Sequence, residues 1–126
     1  GVPRDDVQAV SLFRAAAEQG FAQAQSNLGF MLAEGRAVER DYVAARVLYE
    51  KAILQGLPQA MMHLAVLYER GRGVAQDNSL AVTWYRRAAE AGYRPAAQRL
   101  FAVYTNGQLG EQVDPVRAKI WADRVQ

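Results

Sequence analysis

The sequence predicts an all-α protein, an α/α solenoid in which about three and a half helical hairpins stack into a right-handed superhelix of about seven helices. The first observation is a period, because Gly20, Gly56 and Gly92 are separated by 36 residues each time. The second is that the segment from Asp77 to Gly92 has two earlier counterparts at the same spacing. A fixed period of this size is typical of repeat arrays, since a single hairpin cannot bury its apolar face alone.

Each repeat begins with a helix that carries one apolar stripe. The stripe residues recur at positions i, i+3, i+4 and i+7, which share one side of a helix. They are Ala9, Leu12, Phe13 and Ala16, then Ala45, Leu48, Tyr49 and Ala52, then Ala81, Trp84, Tyr85 and Ala88. Four aspartates precede these helices and the last helix, and are predicted to be N-caps: Asp5, Asp41, Asp77 and Asp114. A carboxylate at that position accepts hydrogen bonds from free backbone N–H groups.

A second helix follows in each repeat. Its stripe residues are Ala24, Leu28, Met31 and Leu32, then Ala60, Leu64, Leu67 and Tyr68, then Ala96, Leu100, Val103 and Tyr104. Gly29 and Ala65 share one position, which predicts a close helix approach there, whereas Phe101 breaks this pattern. The predicted units are residues 5–40, 41–76 and 77–113, with a terminal helix in residues 114–126. Because residues 1–5 match the loop that ends a unit, we expect a fragment of a longer protein.

Composition limits the function more weakly than the fold. The net charge of +2 argues against a dedicated polyanion binder, although 13 of the 15 basic residues are arginine. With no cysteine, disulfides and cysteine-based zinc sites are excluded. No apolar run approaches the roughly 20 residues that cross a bilayer, and no signal peptide is visible. The compartment is left open between the bacterial periplasm or cell envelope and the cytoplasm.

Three segments resemble Sel1-like repeats, which are relatives of tetratricopeptide repeats. They are A-A-E-Q-G-F-A-Q-A-Q-S-N-L-G (Ala16 to Gly29), E-R-G-R-G-V-A-Q-D (Glu69 to Asp77) and W-Y-R-R-A-A-E-A-G (Trp84 to Gly92). The resemblance recurs in register over essentially the whole chain. It implies a bacterial adaptor that binds other proteins, or sometimes cell-wall components, without catalysis by the repeats. Glycine at position 29 is typical of the family, whereas Ala65 and Phe101 depart from it.

In tetratricopeptide-type arrays, the concave groove is lined by the side of each second helix that faces away from its apolar stripe. The resemblance therefore implies a set of candidate partner-binding residues: Gln23, Ser26, Asn27, Phe30, Gln59, Met62, His63, Val66, Glu69, Gln98, Arg99 and Thr105. Phe30, Met62 and Val66 are apolar on a face that should be wet, which indicates an interaction surface. The alternative is that a neighbouring helix or the curl of the superhelix covers them.

No constellation for chemistry stands out. Gly71-Arg72-Gly73 is best interpreted as a turn, because no strand precedes it and a third glycine is missing. His63 is the only histidine and has no ligand partners at metal spacing. Trp84, Tyr85 and Trp121 lie at stripe positions and are predicted to pack in the core. We therefore expect no catalytic, cofactor-binding or metal-binding residues and no cofactor.

The sequence predicts a non-enzymatic scaffold whose groove binds a protein or peptide. Two alternatives are left open: a module that binds an envelope glycan such as peptidoglycan, and a regulatory repeat domain attached to another functional domain. Nucleic acid is not the expected partner, and we expect no membrane contact by this part of the protein. The oligomeric state does not follow from the sequence.

Overall fold

The computed structural model describes residues 4–125, which form seven α-helices and no strand. The helices are α1 (Arg4–Glu18), α2 (Ala22–Glu34), α3 (Tyr42–Ile53), α4 (Pro58–Arg70), α5 (Asn78–Glu90), α6 (Arg94–Asn106) and α7 (Pro115–Val125). Each helix packs mainly against the next one along the chain, and α2 also touches α4. The predicted α/α solenoid is confirmed. Within these residues, no helix is both long and apolar enough to cross a membrane.

Three of the four predicted N-caps are confirmed. The carboxylates of Asp41 and Asp77 accept hydrogen bonds of 3.0 Å from backbone N–H groups three residues further on. Asp114 accepts a bond of 3.1 Å from the N–H of Arg117. The prediction for Asp5 is wrong, because α1 already includes Arg4 and places Asp5 within its first turn. A carboxylate there faces the positive end of the helix dipole without acting as a cap.

The predicted glycines end the helices that begin each unit. Gly20, Gly56 and Gly92 have φ values of 91°, 80° and 92°, a left-handed conformation that costs glycine little. At the first of these ends, Gly20 N–H donates to Ala17 O and Phe21 N–H donates to Ala16 O. This pair of bonds is the Schellman arrangement, and it recurs at Gly56 and Gly92. The chain therefore turns at the same angle after α1, α3 and α5.

Most stripe residues form the core, as predicted. Tyr49 and Tyr85 are the largest fully buried side chains, and Trp121 is buried in the same core that surrounds Tyr85. Leu12 is the exception, because 70% of its surface is exposed. Its counterpart Leu48 packs against buried residues of the preceding hairpin. Within residues 4–125 no hairpin precedes α1, so the partner that would bury Leu12 is missing there.

One position of the second helices is matched in size to the helix that packs on it. A Cβ placed on Gly29 would lie 2.7 Å from the ring of Tyr49, so only glycine fits without a shift. Ala65 takes this position under Tyr85, as the sequence predicted. In the last unit the sizes are exchanged, because large Phe101 lies near small Ala122 across one cavity. The loop after Gly107 is one residue longer than the corresponding loop of the preceding unit. Ala122 is therefore the equivalent of Tyr85, because each lies eight residues after its cap, Asp114 or Asp77.

Candidate functional site

Helices α2, α4 and α6 are the second helices of successive hairpins; α2 contacts α4, and α4 contacts α6 through Glu69 and Arg99. We define the α2–α4–α6 face as the side of these helices that carries the predicted groove residues. At one edge of the face, the Gln23 amide donates hydrogen bonds to the side-chain oxygens of Asn27 and Gln59, the former at 3.2 Å. The first bond lies within α2, and the bond between Gln23 and Gln59 joins α2 to α4 at the exposed edge of the face.

The centre of the face is an aromatic cluster around His63. The His63 ring stacks on Tyr49, with ring centres 5.1 Å apart and planes inclined by 24°. On another side it meets Phe30, with centres 5.3 Å apart. Burial lowers the pKa of His63 to about 4, because the charged imidazolium would lose its hydration there. The histidine is therefore neutral at physiological pH and acts as an aromatic packing group.

A small cavity of about 40 Å³ opens beside this cluster. Its lining includes Phe30, Ala33, Glu34, Tyr42, Tyr49, His63, Val66, Leu67, Arg70 and Arg72. The volume holds a water molecule or a group of two or three heavy atoms, but no aromatic ring. Burial, and secondarily the negative charge of Glu34, raises the pKa of Tyr49 above its usual range. Its hydroxyl remains a neutral donor and forms no hydrogen bond with the described residues.

Two arginines from successive loops meet at Tyr42, on the rim of this cavity. The guanidinium carbons of Arg40 and Arg72 lie 5.7 Å and 5.5 Å from the centre of the Tyr42 ring. Both distances are within the range of cation–π attraction. The loop that carries Arg72 is fixed by Gly73, since a Cβ there would lie 2.9 Å from the Tyr42 backbone. Gly73 has a φ of 72°, so its left-handed conformation also favours glycine.

The equivalent contact between α4 and α6 is closed by charged groups. The Tyr85 hydroxyl donates a hydrogen bond of 2.9 Å to the Glu69 carboxylate. The Arg99 guanidinium donates to the same oxygen at 3.1 Å and lies 5.7 Å from the centre of the Tyr85 ring. Burial and the bond to Glu69 raise the pKa of Tyr85 above its usual range. This network satisfies its own polar groups.

Two substitutions separate the contact between α2 and α4, called the first contact below, from the contact between α4 and α6, called the second contact. Tyr49 and Tyr85 are equivalent, one repeat apart, and so are His63 and Arg99. The decisive exchange is Ala33 for Glu69, because Ala33 lines the cavity in the first contact. Where the second contact holds a carboxylate of its own, the first has a methyl group and free space. The repeat therefore presents the same tyrosine hydroxyl in a closed and in an open form.

The α6 end of the face is different again. Gln98 and Thr105 are exposed. Thr105 lines a mainly apolar cavity of about 380 Å³ between α6 and α7, together with Phe101, Val113 and Ala122. Among residues 4–125 there is no group of three His, Cys, Asp or Glu side chains that could hold a metal ion.

A comparison with protein families matches the Sel1 repeat to residues 1–21, 22–57, 58–93 and 95–124. The chain belongs to the Sel1 repeat family. Its structure is similar to that of c5321, a protective antigen present in uropathogenic Escherichia coli strains that displays an SLR fold. The TM-score is 0.82 and the identity 40%, over 94% of this chain and 25% of that one. A Sel1 repeat protein from Oxalobacter formigenes gives a TM-score of 0.83 and 31% identity, over 99% of this chain and 51% of that one.

This Sel1 array thus spans about a quarter and about half of the length of these two structures. No curated protein sequence matches it significantly. Sel1 repeat proteins generally mediate protein–protein interactions, and the repeats are typically a non-catalytic scaffold. The matched segments begin at α2 and α4 rather than at α3 and α5, so they divide the array at a different helix from the units predicted above.

The structure brings together only part of the predicted groove. Phe30, His63 and Val66 line one cavity, while Glu69 and Arg99 belong to the closed network of the next contact. Ser26 was expected on the open surface, but the structure buries it fully, and its hydroxyl has no hydrogen-bond partner among the described residues. Met62 is half-buried and packs against the core around Tyr85. For Met62, the alternative interpretation therefore holds, in which a neighbouring helix covers the side chain.

The aromatic and basic rim of the cavity was missed by sequence reasoning. Tyr49 was assigned to the apolar stripe, and its hydroxyl was given no role. Arg72 was interpreted as part of a glycine-rich turn, and Tyr42 was given no role. The available signal was the exchange of Glu69 for Ala33 at equivalent positions, because the repeat otherwise keeps the tyrosine that Glu69 binds.

Proposed function

We propose that this chain is a non-catalytic scaffold that binds a peptide or protein segment on its α2–α4–α6 face. The cavity beside Phe30 and His63 carries the proposal. It combines half-buried apolar groups with polar groups that have no partner within the described chain, which is typical of binding surfaces. Exposed polar residues continue the face at Gln23 and Gln98.

The face is preorganised for binding. The hydrogen bond between Gln23 and Gln59 and the ion pair between Glu69 and Arg99 hold the three helices in place. A partner would therefore order few groups of the scaffold when it binds, which lowers the entropic cost of association. An extended segment lying across α2 and α4 could place one small side-chain group in the cavity while its backbone meets the polar edge.

The test is selection of random phage-displayed peptides on the wild-type chain, followed by affinity measurement with fluorescein-labelled versions. We expect Phe30→Ala to weaken the selected peptides about tenfold or more, as loss of a central apolar contact usually does. Leu54→Ala is the matched control, because Leu54 is 87% exposed at the turn after α3 and does not line the cavity. It should bind like the wild type. Circular dichroism checks that both variants fold.

Equal affinity of the wild type and Phe30→Ala for every selected peptide would contradict the proposal. Co-sedimentation with isolated peptidoglycan tests the glycan alternative in parallel. If the wild type co-sediments with peptidoglycan and Phe30→Ala does not, while no selected peptide depends on Phe30, the glycan alternative is favoured and the peptide proposal is overturned.

A further inference from the structure

The first contact resembles a binding site whose carboxylate has been removed. In the second contact, Glu69 accepts hydrogen bonds from the Tyr85 hydroxyl and the Arg99 guanidinium. In the first, the equivalent of Glu69 is Ala33, and the cavity of about 40 Å³ has Ala33 and Tyr49 in its lining. A carboxylate has three heavy atoms and matches that volume. The solenoid itself thus shows how a carboxylate is held against this tyrosine.

The charge around the cavity also favours an anion. Arg70 and Arg72 line it, and Arg40 joins Arg72 at the Tyr42 ring. None of these three forms an ion pair with the described residues, whereas five other arginines do: Arg36, Arg46, Arg86, Arg99 and Arg117. Glu34 is the one carboxylate in the lining. In the lining itself, the guanidinium groups of Arg70 and Arg72 face the single carboxylate of Glu34, so the lining carries a net positive charge.

Arg40 is left out of this count, because two carboxylates lie close to it. Glu39 and Asp41 flank Arg40 in sequence and line another cavity together with it, and the Asp41 carboxylate caps α3. The guanidinium groups of Arg40 and Arg72 each contact the Tyr42 ring, which restrains their motion. Restrained guanidinium groups lose little entropy on binding and can donate two parallel hydrogen bonds to a carboxylate.

We propose that this site recognises an aspartate or glutamate side chain of an extended peptide partner. The partner carboxylate occupies the place that Glu69 fills in the next contact, beside the Tyr49 hydroxyl, and the rim arginines neutralise its charge. This inference rests on the proposed function, because it assigns a partner chemistry to the same face. A nucleic acid fits less well, since the basic groups form one local cluster rather than a stripe and the whole chain has a net charge of only +2.

The experiment uses the peptides selected on the wild-type chain. We expect them to be enriched in Asp and Glu, and replacement of the essential acid by its amide to weaken binding about tenfold or more. Arg72→Gln should weaken the acidic peptide to a similar degree. In Arg72→Gln the amide peptide should bind nearly as well as the acidic one, because the two changes remove one shared interaction.

Three further variants sharpen the result. Arg87→Gln is the matched control, since the Arg87 guanidinium lies 4.8 Å from the Trp84 ring on α5, away from the cavity, and forms no ion pair with the described residues. It should leave affinity unchanged. Ala33→Glu installs the carboxylate of the second contact and should weaken acidic peptides about tenfold or more. Ala33→Gln fills the same space without charge and should also weaken acidic peptides, because the partner carboxylate then has no room in the cavity.

The outcomes separate this inference from the proposed function. Peptides that depend on Phe30 but show no preference for Asp or Glu would overturn the inference and leave the proposed function standing. Failure to select any peptide that depends on Phe30 would overturn both. Binding of fluorescein-labelled oligothymidylate that depends on Arg72, with no acidic peptide bound, would assign the site to nucleic acid and overturn the inference.

Discussion

The contacts between α2 and α4 and between α4 and α6 use the same backbone and reach opposite results. In the first, His63 stacks on Tyr49 above a glycine, and a cavity is left beside them. In the second, Arg99 covers Tyr85 above an alanine, and Glu69 closes the gap. A few side-chain exchanges thus turn a self-contained joint of the solenoid into an open site. Repeats allow this because each contact is stabilised mainly by its immediate neighbours.

The largest expected difference in stability concerns Gly29, the position that packs against the Tyr49 ring. Gly29→Val should destabilise the protein by about 3 kcal/mol, because even a Cβ would lie 2.7 Å from the buried Tyr49 ring. The control is Ala15→Val at an exposed helical position. This substitution should destabilise the protein by about half a kcal/mol, through helix propensity alone. Urea unfolding followed by circular dichroism measures both. Similar losses for the two variants would show that the first contact is not tightly packed.

The second prediction separates the contacts by pH. The pKa of His63 is about 4 in the folded protein, whereas its ordinary value is 6.5. Between these two pH values, the unfolded chain therefore binds a proton at His63 that the folded chain does not bind. The stability from neutral His63 is therefore full above pH 6.5 and is lost as the pH falls towards 4. Between pH 7 and pH 5 we expect a loss of about 1–2 kcal/mol, allowing for the partial exposure of the ring.

The matched variant for this pH effect is His63→Gln, which cannot titrate in this range. Its stability should change less than that of the wild type between pH 7 and pH 5, when both are measured by urea unfolding. Carboxylates and guanidinium groups with ordinary pKa values keep their charge over most of this interval, so they contribute little to the pH dependence. Parallel pH profiles for the two proteins would refute the assignment.

The smallest expected effect compares the two tyrosine hydroxyls. Tyr85→Phe should cost about 1–2 kcal/mol, because it removes a hydrogen bond to the charged Glu69. Tyr49→Phe should change stability by less than about half a kcal/mol, since its hydroxyl bonds to no described residue. Thermal or urea unfolding of the two variants gives this difference directly. A larger cost at Tyr49 would mean that its hydroxyl is already engaged in the free protein.

Local sequence signals were sufficient for the helices and their ends. The caps at Asp41, Asp77 and Asp114 were found because capping depends on bonds within a few residues. The errors concern neighbours that are distant along the chain. Leu12 is exposed because no described hairpin covers it, and Ser26 is fully buried although helical periodicity alone places it on the side away from the apolar stripe.

The same division explains the candidate site. Phe30, His63 and Val66 could be placed on one face from helical periodicity, because their spacing fixes their direction. The sequence could not show that they line one cavity with Tyr42, Tyr49 and Arg72, because these residues belong to other helices and to a loop held by Gly73. Only the packing of three helices and one loop decides which side chains share a cavity.

The sequence by itself determined the period, the helices, the stripe that forms the core and the family, because each depends on a pattern repeated along the chain. Tertiary structure alone decided that the joint at Glu69 is closed and the joint at Ala33 open. The physical reason is distance: a carboxylate on one helix satisfies a hydroxyl on another only where the fold brings them within hydrogen-bonding reach. Where the repeat replaces that carboxylate by a methyl group, the fold leaves a space and a donor for another molecule.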